Sequence, residues 1–160
     1  MSRGLSSTIT DELAKGQFVL AHLVKLELTT VFKYTDAPVQ IVDGSDTYIP
    51  NGFLFGVDGV TEQSNINIGS MRIGLSAVNQ SVLSVALSNG HLDRKVTIKR
   101  CFLDSNMGLI SGAIFSVYVG KIEGMSLRDR KDSSEIEFKV ANQWSDFQRT
   151  NGRRTNTNSQ

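Results

Sequence analysis

Between Phe18 and Leu28 the chain alternates with a period of two, and this alternation constrains the fold more than any other feature. Phe18, Leu20, His22, Val24, Leu26 and Leu28 fall on one face, while Lys25 and Glu27 fall on the other. Opposite-pointing neighbours are the geometry of an extended strand and not of a helix. The same period recurs at Val60–Ile68, at Met71, Ile73, Leu75 and Ala77, at Val96, Ile98 and Phe102, and at Ile136, Phe138 and Val140. Shorter strands are expected at 31–35, 39–42 and 47–49, with two more at 113–119 and 121–127 on either side of Gly120. Asp43-Gly44 and Pro50-Asn51-Gly52 mark turns between them.

Helical spacing is confined to two short segments. In 5–15, Leu5, Ile9 and Leu13 form a thin apolar stripe, with Ser6, Ser7 and Thr8 as caps, Asp11 and Glu12 suited to the first turn, and Gly16 as the C′ residue. In 79–88, Val82, Leu83, Ala86 and Leu87 share a side between Asn79 and Asn89-Gly90. About eight to ten strands and two helices, with no repeat, give a mainly β chain. The expected fold is an antiparallel β-sandwich or barrel with a short N-terminal helix and one further short helix.

Composition agrees with this and excludes several classes. The chain has 160 residues, 14 Gly and only 2 Pro, a length for one domain. The single Cys101 leaves no internal disulfide and no Cys-rich zinc site. Net charge +1 does not describe a dedicated polyanion binder. No apolar signal segment or membrane-spanning run is visible, so synthesis and folding in a cytoplasm, with no membrane anchor, are expected. Residues 149–160 are polar and carry three Arg; the other residues hold 14 basic against 16 acidic groups. Residues 1–148 therefore read as one β-rich domain. Residues 149–160 read as a basic C-terminal arm, or as a chain cut short of its native end.

No cofactor-binding or catalytic motif is present, so neither cofactor nor metal is expected. GxxxxGK[ST], GxGxxG in a strand–helix context, HExxH and GxSxG are all missing. His22 reads as a hydrogen-bonded core or interface residue, His91 as a surface or C-cap residue, and Cys101 as a structural thiol facing away from Phe102. Asp36, Asp43, Asp46 and Asp58 lack the order of a calcium loop. Glu62, Glu123, Glu135 and Glu137 read as solvated faces.

Three ordered landmarks carry a family resemblance: the Tyr48-Ile49-Pro50 turn, the Leu-x-Asn-Gly-x-Leu-Asp segment at 87–93, and the Tyr-x-Gly-x-Ile segment at 118–122. The Arg-x-x-Gly-Arg-Arg end at 149–154 completes the order. From about Leu5 to Arg154 the chain resembles a family of tailed-phage minor tail or baseplate hub proteins. They are related to the minor tail protein that joins the tail tube to the tip. The resemblance implies a non-enzymatic virion component of the tail tip, a hub or adaptor ring made in the host cytoplasm. It implies a homo-oligomer, a trimer in preference to a hexamer, with other phage tail proteins as partners. Nucleic acid is not an expected partner, except DNA passing through a tail channel. Longer members carry cysteines beyond the Gly-Arg region, in some cases for a metal cluster, and this chain has none there.

The alternatives are a tail-associated cell-wall hydrolase and a receptor- or carbohydrate-binding β module. Ring protomers need two different contact surfaces. The apolar loop around Tyr48, Phe53, Leu54 and Phe55 is expected at a subunit boundary or beneath the barrel, with Arg149, Arg153 and Arg154 as further contacts.

Overall fold

The computed structural model describes residues 7–16, 18–50, 54–57, 70–76, 84, 90–130 and 133–142. The chain is mainly β, with one short helix, α1, at Ser7–Lys15. Ile9 turns its side chain into the protein, and Gly16, at φ 69°, closes the helix in the left-handed conformation that glycine tolerates best. The first turn holds no acidic residue, contrary to expectation, because the helix starts at Ser7 and Asp11 lies beyond that turn. The expected helix at 79–88 and strand at 60–68 lie outside the described residues, apart from helical Ser84.

Seven strands form one curled antiparallel sheet. They are β1 (Val19–Glu27), β2 (Val31–Thr35), β5 (Leu54–Val57), β6 (Ser70–Ser76), β7 (Lys95–Leu103), β8 (Leu109–Arg130) and β9 (Ser133–Asn142), in the order β2-β1-β7-β8-β9-β6-β5. A hairpin of β3 (Ile41–Asp43) and β4 (Asp46–Tyr48) makes a second, two-stranded sheet. Its Asp43–Asp46 pair closes a two-residue loop. Gly44 sits at φ 60° in the first central position, the pattern of a type II′ hairpin turn.

The long period-two stretch does form β1, but both of its faces are covered. Val24, Leu26 and Leu28 join Tyr34, Val96 and Ile98 on the concave side. There they meet Met71, Ile73, Leu75, Ile136, Phe138 and Val140 from the other end of the same sheet. The curl thus lets the two ends of one sheet bury part of its own inner face against each other. On the convex side Ala21 and Leu23 join Cys101 and Leu103 beneath the hairpin, whose Ile41 and Tyr48 fill the contact. Cys101 and Phe102 point to opposite faces as expected, and both are buried.

Strand β8 replaces the two strands expected around Gly120. Straight, 22 residues would span about 70 Å, well beyond the roughly 40 Å width of a compact chain this size. Register shifts between Ser116 and Tyr118 and between Ile122 and Gly124 in β8 mark bulges, which bend and twist a strand. Residues 109–121 of β8 pair with β7, and residues 120–130 pair with β9. Gly120 stands where the two ladders overlap. A Cβ there would collide with the carbonyl oxygen of Ala141 and lie 2.7 Å from the Tyr118 ring. Glycine here therefore allows a close strand approach and does not break the strand.

Candidate interaction surfaces

The hairpin is fastened to the convex face by charge as well as by apolar contact. Lys25 and Lys33 lie directly opposite each other on β1 and β2, an arrangement that repels. Asp46 resolves it by reaching both ammonium groups, at 2.8 Å and 2.7 Å. These hydrogen bonds hold the Asp46 carboxyl down at about 2. Asp43, at the other side of the turn, pairs with Lys99 at 2.5 Å. The hairpin also extends the sheet edge: Ile49 N–H donates to Lys33 O at 3.1 Å, and Thr35 N–H donates to Ile49 O at 3.3 Å. Pro50 follows and cannot continue such pairing.

Tyr48 ends up inside this contact, fully buried. Among the described residues its hydroxyl has no hydrogen-bond partner, and burial pushes it up to about 12, with Asp46 and Asp43 adding to the shift. Leu54 and Phe55 belong to β5 at the end of the sheet, whose ladder to β6 includes the pairs Leu54–Leu75 and Val57–Ile73. Phe53, Arg149, Arg153 and Arg154 lie outside the described residues. Of the expected contact residues, Tyr48 is thus the one whose side chain is described.

A polar relay occupies the concave face beyond the apolar core. His22 stands opposite Arg100 across β1 and β7. Arg100 Nε–H donates to His22 Nε2 at 3.2 Å. On its other side His22 Nδ1 meets Asp36 Oδ2 at 2.7 Å, and His22 N–H donates to Asp36 Oδ1 at 2.7 Å. With Nε2 accepting, the ring carries its proton on Nδ1 and donates it to Asp36. Burial works to raise the Asp36 carboxyl, but the His22 hydrogen bonds outweigh it and leave a net lowering. The reading of His22 as a hydrogen-bonded residue holds, whereas its partners lie 14 and 78 residues away and carry no sequence signal.

Next to this relay the concave face becomes aromatic. Leu20 pairs with Phe102, and Phe115 lies opposite Arg100 on β8. Phe18 meets Phe102 edge-on at 5.2 Å, and Phe102 stacks on Phe115 at 5.7 Å. Ile9 of α1 covers part of the cluster, yet Phe18 and Leu20 each remain 39% exposed.

Other singled-out residues take structural places. His91 is buried and not at the surface, its ring 6.4 Å from that of Phe138. It is carried inward because Asp93 N–H donates to Ile122 O and Ile122 N–H to Arg94 O, both at 2.9 Å. Cys101 is fully buried and its thiol is pushed up to about 11 by burial, so it rests as a thiol at neutral pH. Glu137 is only half-exposed and not a freely solvated residue: it faces Arg72 at 3.7 Å and Arg128 at 3.5 Å. Glu123 faces Lys139 at 3.5 Å. Among the described residues no helix is long and apolar enough to cross a membrane.

No protein-family model matches the sequence, and no curated protein matches it. A chain in a solved structure described as "Virion of native gene transfer agent (GTA) particle" is similar in fold, with a TM-score of 0.71 at 14% sequence identity. The match covers 93% of the present chain and 49% of that chain, so the present chain spans about half of its length.

Proposed function

We propose that this chain is a non-enzymatic structural component of a phage-like tail tip or baseplate, a hub or adaptor ring between the tail tube and the distal tip. The observation that carries the reading is the fold likeness to a virion-particle chain over 93% of the present sequence. The outer-face carboxylates Glu123 and Glu137 sit against cations and not against each other, which does not favour a paired-carboxylate hydrolase.

A trimer is the ring order we favour. Size-exclusion chromatography with light scattering should give three times the 17.6 kDa chain mass, and a stable monomer up to high concentration would count against the ring.

A further inference from the structure

Arg100 is held in a state that leaves most of its donors idle. Among the described residues it makes no ion pair, and its one hydrogen bond goes from Nε to the neutral ring of His22. A guanidinium has five N–H donors, so the forked Nη end keeps four. Asp36 fixes His22 by two hydrogen bonds, and His22 in turn fixes Nε, so the fork is positioned in advance. Arg100 is also half-buried, where a cation without a carboxylate is disfavoured. Immediately beside it lie Phe18, Leu20, Phe102 and Phe115, two of them substantially exposed.

The geometry points to a docking site for a partner-protein segment that carries a carboxylate next to an apolar side chain. The carboxylate meets the Arg100 fork in a bidentate pair. The apolar neighbour settles on Phe18 and Leu20. Nucleic acid fits less well, because a phosphate backbone is held by several cations together. On the opposite face Lys25, Lys33 and Lys99 are already neutralised by Asp46 and Asp43. The inference stands on this local geometry and does not depend on the ring reading.

The test is a nuclear magnetic resonance titration of the full chain, isotope-labelled at backbone and methyl groups. The probes are the acetylated, amidated peptide Gly-Leu-Glu-Phe-Gly and its counterpart with Gln for Glu. Saturable shifts are expected at the Leu20 methyls and the Arg100 Nε–H, with the Glu peptide binding about tenfold tighter than the Gln peptide. Arg100→Gln should bring the two peptides level, and Leu20→Ser should weaken both. Should Arg100→Gln fail to fold, the comparison of the two peptides on the unaltered chain decides. Equal binding of the two peptides, the absence of saturable shifts, or a preference for a single-stranded oligonucleotide would overturn the proposal.

Discussion

The two faces of β1 and β7 are buried by different means. The concave core closes on aliphatic and aromatic side chains from six strands. The convex contact closes under a small hairpin through Ile41 and Tyr48, fastened by Asp43 and Asp46 to three lysines. The first depends on area removed from water, which is indifferent to protonation. The second depends partly on carboxylate charge and contains a hydroxyl with no partner among the described residues. The hairpin contact thus carries charge pairs that acid can neutralise, and it holds the edge where Ile49 extends β2.

The contrast is most strongly challenged in the concave core. Phe138→Ala should cost about 3–5 kcal/mol in denaturant unfolding, because Phe138 is fully buried between the two ends of the sheet. A loss below 1 kcal/mol would mean that the curl is not closed there. Gly120→Ala comes next. The new methyl must displace the Ala141 carbonyl or the Tyr118 ring, at a cost of roughly 1–3 kcal/mol, and Tm should fall accordingly.

Acid acts on the convex face. Asp46 titrates near 3.8 when unfolded and near 2 when folded. The unfolded chain therefore takes up that proton first, and the stability contributed by Asp46 is present above pH 3.8 and lost as pH falls toward 2. The lowered Asp36 carboxyl, in the relay on the concave face, adds in the same direction. Asp46→Asn should be less stable at pH 7 and should lose less of its stability between pH 4 and 2. Parallel acid-unfolding curves for the two proteins would remove the latch from the account. The smallest effect is expected from Tyr48→Phe. It deletes an unpartnered buried hydroxyl and should raise stability by up to about 1 kcal/mol, or roughly 2–4 °C in Tm. A loss would show that the hydroxyl has a partner after all.

Local periodicity made much of the fold legible. β1, β2, β6, β7 and β9 stand within a residue or two of where alternation places them, and the Asp43-Gly44 turn lies where its chemistry predicts. Alternation does not reveal how many faces a strand buries. Lys25 marks a solvent side, yet Ala21 and Leu23 on that side are fully covered, because a hairpin from later in the chain folds over them. Gly120 resembles a break because glycine weakens a strand in isolation; the close approach of Ala141 that makes it necessary is a long-range fact. The site was less legible still. His22 is recognisable as a hydrogen-bonded residue, but Asp36 and Arg100 reach it only through strand pairing. Tyr48 is recognisable as apolar-clustered, and only the tertiary fold shows that the hairpin carries it inward.

The role we propose for this chain is as part of a tail. Electron cryo-microscopy of whole particles from the producing cell tests it most directly, with the chain fused to a small globular label at either terminus. Ring-symmetric label density is expected at the junction of tail tube and tip. Particles that are complete and infectious without the chain, or label density absent from the tail, would contradict it.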